Sequence, residues 1–261
     1  MSDWLHNLPV IGMVMVVFGI TYLVAVAIYA AVIGLAIGER RRAFKGVSPG
    51  MLSPLGVLFA LFIAFTASQV WNDNDRASIA VNREASALRA VLVLATAFPG
   101  EHEITLRTLV HRHIEEATSR EWPMMAKGTA TLSVASPALI EALRSALAIS
   151  PDNQGQQTAQ AEIVNQIGAA LAARRDRILI SHSQVGPVKW LCLFVQAVGL
   201  LLLVALVHCD NRLTVGIALW IMATGMATCV LLIVAYDRSF VGQLAVGSEP
   251  LLEVLEAAAV P

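Results

Sequence analysis

Four stretches of this chain are apolar, free of internal charge and long enough to cross a bilayer. They fall at about residues 9–37, 52–70, 187–207 and 213–235. A hydrocarbon core about 30 Å thick needs about 20 consecutive apolar helical residues, and inside it every backbone polar group must be satisfied within the segment itself. Four such stretches therefore dictate helices and a membrane solvent. Only 14% of the 261 residues are charged, against about 25% in soluble domains, and the mean hydropathy is +0.68. The formal net charge of −1 gives no electrostatic footprint for nucleic acid, which is excluded as a partner.

The first stretch is far longer than the 7–15-residue core of a cleaved leader, and MSDWLHN before it has no Lys or Arg. It reads as a retained helix with Trp4 at one interface. Ser53-Pro54 opens the second span and Trp71 marks its far interface, Pro187 opens the third, and Tyr236 closes the fourth. No span holds an Asp, Glu, Lys or Arg away from its ends, which argues against an ion-coupled transporter. Four spans without such residues fit a pore only if several copies build it around an axis, so a homo-oligomer in a lipid bilayer is expected. The polar face of the second span, Thr66, Gln69 and Asp73, is then the candidate pore face.

The expected organisation is a first transmembrane hairpin over 1–71 and a helical extramembrane domain over 72–186. A second hairpin over 187–236 and a C-terminal tail over 237–261 complete the chain. The fold class is all-α: four transmembrane helices, with a helical bundle inserted between the second and third. From Leu55 to Phe98 there is one Gly and no internal Pro, and Pro99-Gly100 is the first stop. One continuous helix is therefore expected from the second span into the polar region. A second helix is expected from about Glu101 to Glu121, ended by Trp122-Pro123. A short helix should start at Ser136-Pro137, with SPDNQGQQ as a loop and a last helix from about Thr158 to Gln184.

The first polar helix carries a seam, Ala80, Glu84, Ala87, Val91, Leu94 and Phe98, at the four-three spacing of interlocking helices. Glu84 occupies a position meant for an apolar side chain. The last helix has a matching stripe, Ile163, Ile167, Ala170, Arg174 and Ile178, with Arg177 three residues after Arg174. A carboxylate in an apolar seam needs a cation. The expected partner of Glu84 is Arg174 first and Arg177 second.

Spread along the chain are pieces that resemble the bestrophin-like DUF4239 family of membrane proteins. They are SPLGVLFALFIAFTASQVWNDNDRA, Glu84-Ala85 in NREASAL, Glu121-Trp122 in REWPMM, ARRDRIL, and DRSFVGQLAVGSEPLLEVL. Family members carry Asp-Arg-Pro-Phe-x-Gly after the final span. Asp237, Arg238, Phe240 and Gly242 match it, Ser239 stands where Pro is typical, and His113 stands where an aromatic residue, often Tyr, is usual. The family's function is not established. The resemblance implies a distant likeness to bestrophins, pentameric anion channels with four membrane helices per subunit and large cytosolic domains. It also implies structural roles for these motif residues, and inorganic anions as what would permeate.

No HExxH, phosphate loop, nucleophile elbow or Cys-His arrangement occurs, so no enzyme activity and no cofactor are expected. The three cysteines lie in or beside apolar segments and read as packing residues. His111 and Glu115, at i and i+4, could share a metal, but His113 points about 200° away from His111 and the sequence offers no third ligand. The three are read as surface residues and no metal site is expected. The basic loop GERRRAFKG places itself in the cytoplasm by the positive-inside rule, which puts the polar domain outside. The likeness to bestrophins, and Arg174, Arg175, Arg177 and Lys189 near the third span, favour the opposite side. Two functional classes remain: an oligomeric channel, or a non-conducting membrane-anchored sensor or scaffold whose helical domain binds a partner. Either is a multi-pass protein of the cell membrane, most naturally the bacterial inner membrane.

Overall fold

The computed structural model describes residues 5–6, 8–35, 44, 48–132 and 135–259. Trp4 and the basic loop residues Arg40, Arg41, Arg42 and Lys45 lie outside the described residues. Among those described there is helix and turn and no strand. The helices are α1 (Val10–Leu35), α2 (Leu52–Ala95), α3 (Glu101–Glu116), α4 (Trp122–Ala126), α5 (Pro137–Ala148), α6 (Gln154–Ser181), α7 (Pro187–Val207), α8 (Arg212–Tyr236) and α9 (Glu249–Ala259). Four of them, α1, α2, α7 and α8, are long and apolar enough to cross a membrane.

The chain forms two compact units. The apolar unit comprises Met1–Asn72, Gln184–Arg238 and Gly242–Leu244, and the polar unit comprises Asp73–Ser183, Ser239–Val241 and Ala245–Pro261. α2 runs unbroken for 44 residues and supplies residues to both. Nothing in its sequence interrupts it after Pro54, which sits in the first turn, where a missing N–H costs no helical bond.

In the apolar unit α1, α7 and α8 pack on one another. Phe59, Ile63 and Val70 of α2 join Leu193, Leu200 and Leu201 of α7 and Val215, Leu219 and Ile233 of α8 in one cluster. Several polar groups here are satisfied locally or in pairs, whereas the buried Trp190 Nε1 and Gln196 Oε1 have no hydrogen-bond partner among the described residues. Thr21 donates to Val17 O, Thr66 donates to Phe62 O at 2.8 Å, and the Tyr22 and Thr224 hydroxyls meet at 2.8 Å. At one end of α8, Asp237 accepts the Val185 N–H at 2.6 Å.

The polar unit is a bundle around Leu88, Val91 and Ala95 of α2, Leu106 and Ile114 of α3, Leu139 of α5, and Ile163 and Ile167 of α6. Each fully buried side chain of this size contributes about 1.5–3 kcal/mol. Three local expectations give way. Trp122-Pro123 does not end the second helix: the chain widens into a π turn over Ala117–Glu121, in which the Trp122 N–H reaches back to Ala117 O, and then continues as α4. Pro123 has no N–H to return to the preceding turn, and a wide turn absorbs that loss where a regular one would break. The second half of SPDNQGQQ is helix, because the Asn153 side chain accepts the Gln156 N–H at 2.9 Å and caps α6 four residues earlier than expected. The segment expected as a tail carries α9, whose Leu251 and Val254 are fully buried in the bundle core.

Leu251→Ala is accordingly expected to destabilise the polar unit by about 2–5 kcal/mol. Chemical denaturation of the purified protein followed by far-ultraviolet circular dichroism measures this. A free tail would show no change.

Candidate functional site: a buried charge network in the polar unit

Five elements of the polar unit bring ionisable side chains and one hydroxyl to one place. α2 supplies Glu84, α3 supplies His113, the π turn supplies Glu121, α6 supplies Arg174 and Arg177, and the N-cap of α5 supplies Ser136. Arg177 is at the centre and fully buried. Its Nε donates to Glu84 Oε2 at 2.7 Å, and its Nη2 donates to Glu84 Oε1 at 3.1 Å and to Glu121 Oε2 at 2.9 Å. Nη1 faces Met125 Sδ at 3.4 Å, and the guanidinium lies 4.6 Å from the centre of the Trp122 ring. A planar, forked donor can serve two carboxylates and an aromatic face at once, which an ammonium cannot.

Sequence spacing favours Arg174 as the first partner of Glu84. The structure pairs Glu84 with Arg177 instead. Arg174 sits at the rim and donates to Glu121 Oε1 through Nε at 2.8 Å and Nη2 at 2.6 Å. Arg177 keeps the four-three rhythm of the α6 seam after Arg174 and is the one turned into the core. The π turn adds a residue to its helix, which rotates the next residues and brings both Glu121 and Trp122 onto Arg177.

His113 departs further from expectation. It is not a surface residue: it is 1% exposed. Its Nε2 lies 2.9 Å from Glu84 Oε1 and its Nδ1 2.9 Å from Ser136 Oγ. An ionised carboxylate only accepts, so Nε2 carries the proton. Ser136 takes the Leu139 N–H on its oxygen as the N-cap of α5 and has its own hydrogen to give to Nδ1. The signal was present in the sequence: Leu106, Val110, His113 and Ala117 form a four-three seam, and His113 occupies one of its inward positions. His111, on the far side of α3, is exposed and 3.6 Å from Glu115. Among the described residues no three His, Cys, Asp or Glu side chains converge as metal ligands.

Burial alone would raise the Glu84 carboxyl. The Arg177 charge and the hydrogen bonds from His113 and Arg177 outweigh it and lower the carboxyl to about 2. Arg177 is shifted the other way: burial opposes its charge, and Glu84 and then Glu121 more than restore it. Two carboxylates and two guanidiniums balance, and Glu121, Ser136 and Arg174 also line a cleft of about 200 Å³. The network fixes five helical segments in one register.

The other expected site residues lie apart. In the apolar unit, Thr66 is buried with its hydroxyl committed to α2, and Gln69 accepts from Lys189 Nζ. In the polar unit, Asp73 accepts from Ser183 Oγ at 3.1 Å. The motif after α8 divides between the units. Asp237, Arg238 and Gly242 belong to the apolar one, where Gly242 has φ +88° and any Cβ there would collide with His6 O. Phe240 belongs to the polar one, edge-on to Trp122 at 5.9 Å between ring centres. Ser239 O, at the position where Pro is usual, accepts the Val246 N–H at 2.7 Å.

The profile of the bestrophin-like domain matches residues 10–251. The chain belongs to the bestrophin-like family. Solved structures of similar fold include a bacterial bestrophin homologue from Klebsiella pneumoniae, in two single-substitution variants. One has 11% sequence identity and a TM-score of 0.69, covering 94% of this chain and 97% of that one. The other has 12% identity and a TM-score of 0.67, covering 97% and 99%. A further structure described as a membrane protein has 13% identity and a TM-score of 0.68, covering 94% and 97%. Comparison with curated proteins gives no match. The bestrophin-like chain is thus an all-α membrane protein, and its identity to these structures is low enough that they inform on fold alone.

The network leads to two expectations. Glu84→Ala strands a buried guanidinium and should cost about 3–5 kcal/mol. Combined with Arg177→Ala it should cost clearly less than the sum of the single changes, whereas with Arg174→Ala it should come closer to additive. Thermal unfolding of the helical signal in detergent reads this cycle. The second expectation concerns pH. The Glu84 carboxyl lies below its ordinary value of 4.5 in the folded chain. Its contribution to stability is therefore complete above about pH 4.5 and disappears as pH falls through about 2. Glu84→Gln should flatten that part of the stability profile.

Proposed function

We propose that this bestrophin-like chain is one subunit of a homo-oligomeric channel for inorganic anions, with α2 lining the pore and 72–186 forming an extramembrane domain. The observation that carries the reading is the exposed stripe of α2. Leu58, Leu61 and Phe65 recur at helical spacing and are 58%, 49% and 73% exposed in the single chain. In a ring of copies about an axis, such a stripe closes into an apolar constriction that gates by dewetting. Gln69 lies one turn beyond Phe65, and Asp73 one turn beyond Gln69 by spacing. Gln69 carries amide donors suited to an anion, and the Lys189 ammonium bonded to it adds positive charge. In this reading Thr66 supports the pore helix from behind. Family membership and the absence of Asp, Glu, Lys and Arg from the spans away from their ends support it. The buried network then holds the extramembrane bundle rigid around the emerging pore helix.

Purified protein reconstituted in planar bilayers under a potassium chloride gradient should give unitary currents that reverse toward the chloride equilibrium potential. Phe65→Ala should increase open probability by widening the constriction. A verified oligomer that passes no current with chloride, bromide, nitrate or potassium would instead support the non-conducting sensor or scaffold. Orientation is tested separately. The basic loop reading predicts that alkaline phosphatase fused at residue 128 is active in the bacterial periplasm, and a fluorescent fusion at the same site that folds only in the cytoplasm reverses that reading.

A further inference from the structure

The buried network of the polar unit contains one arrangement that helix register alone does not need. Ser136, His113 and Glu84 stand in series: Ser136 Oγ lies 2.9 Å from His113 Nδ1, and His113 Nε2 lies 2.9 Å from Glu84 Oε1. The Glu84 carboxylate holds the proton on Nε2, which leaves the lone pair of Nδ1 aimed at the serine hydroxyl. Ser136 Oγ gives its hydrogen to Nδ1 and takes the Leu139 N–H at 3.4 Å, so one of its two lone pairs stays unspent. Ser136 also lines the cleft of about 200 Å³, where Met124, Ala130 and Ile178 form an apolar wall and Arg174 supplies a cation.

A hydroxyl, an imidazole in the matching tautomer and an ionised carboxylate in series are what nucleophilic acyl transfer requires, and the roles are set by geometry rather than by position in the chain. Glu84 stays ionised despite its burial, because the Arg177 charge and the hydrogen bonds from His113 and Arg177 hold its carboxyl at about 2. It therefore orients the imidazole and stabilises an imidazolium without taking the proton itself. Ser136 is the N-cap of the 12-residue α5. Negative charge developing on a carbonyl oxygen bound there meets the positive end of that helix and the Arg174 guanidinium. The cleft is smaller than the about 300–1,000 Å³ of drug-sized sites, and its apolar wall suits a short hydrocarbon chain.

We propose that Ser136 is a nucleophile that hydrolyses short-chain carboxylic esters, with His113 as its base. Ser136 Oγ bonds to the ester carbonyl carbon while its proton passes to His113 Nδ1. The bond from that carbon to the alcohol oxygen then breaks, and the alcohol leaves with the proton from Nδ1. Water gives a proton to Nδ1 and attacks the acyl-serine. The carboxylic acid is released, and Nδ1 returns the proton to Ser136 Oγ. The only co-reactant is water. Leu58, Leu61 and Phe65 take no part, so the site stands whether or not the protein conducts.

The test uses the full-length protein purified in mild detergent. A serine-directed fluorophosphonate should label wild type on Ser136, as read by peptide mass spectrometry, and the same protein should hydrolyse p-nitrophenyl butyrate. Ser136→Gly keeps a tolerated helix cap and should show neither. In His113→Gln the side-chain amide can still donate to Glu84 and accept from Ser136, but it takes up no proton. Labelling and hydrolysis should both fall at least about 100-fold in it, with a melting temperature close to that of wild type. This separates a base from a residue that only holds the fold. Heat-unfolded wild type should not label, since its serine has lost the imidazole. Absence of label on Ser136 in folded wild type overturns the proposal. Equal labelling of His113→Gln or of the unfolded chain overturns it as well. Label on Ser136 without ester turnover overturns the hydrolytic assignment.

Discussion

The pairing of Glu84 with Arg177 is the constraint on which the polar unit depends. Both side chains are fully buried. Two ions so placed gain little over a well-packed apolar pair, yet neither can be left without the other. That asymmetry makes the pair a register device. α2 and α6 can slide or rotate against each other only by exposing a bare charge to the core. His113 and Glu121 extend the same logic to α3 and to the π turn, and Ser136 extends it to the start of α5. Five segments are thus tied by groups that tolerate one arrangement.

The π turn is part of the same device. A regular helix through Glu121 would meet Pro123 and lose a hydrogen bond. The wider turn accommodates Pro123, places Glu121 on both arginines and lays Trp122 against the Arg177 guanidinium. Trp122 in turn packs edge-on against Phe240 and donates to Val246 O at 3.3 Å. The segment after the last apolar helix is bound to the polar unit through the same residues that serve the ion pair. This gives physical content to two scattered motif pieces, Glu121-Trp122 and Phe240: they are parts of one contact.

The apolar unit works by a different rule. It has few polar groups to place, and some of them close locally, as Thr66 and Thr21 close onto their own helices. What remains informative there is exposure. A stripe of α2 and a cleft between α1, α7 and α8 stay open in the single chain, and in a membrane protein such surfaces meet lipid or another copy rather than water.

The sequence by itself determined the four apolar helices, because bilayer thickness and backbone satisfaction leave no other solution for uncharged stretches of that length. It also determined the unbroken α2, since no Gly or Pro pair interrupts it before Pro99. The oddity of Glu84 was legible as well, because a carboxylate in a four-three seam breaks an otherwise apolar rhythm. Tertiary structure alone decided which arginine answers Glu84. Arg174 and Arg177 both satisfy the spacing, and only the packed bundle turns one inward and leaves the other at the rim for Glu121. His113 was hidden for a related reason: a histidine beside Arg112 and Glu115 reads as surface until the opposite face of α3 is known to be buried. The passage through Pro123, the early start of α6 at the Asn153 cap and the docking of α9 were decided in the same way. Local propensity marks each as a break or a loose end, and burial of apolar surface in the assembled core outweighs it.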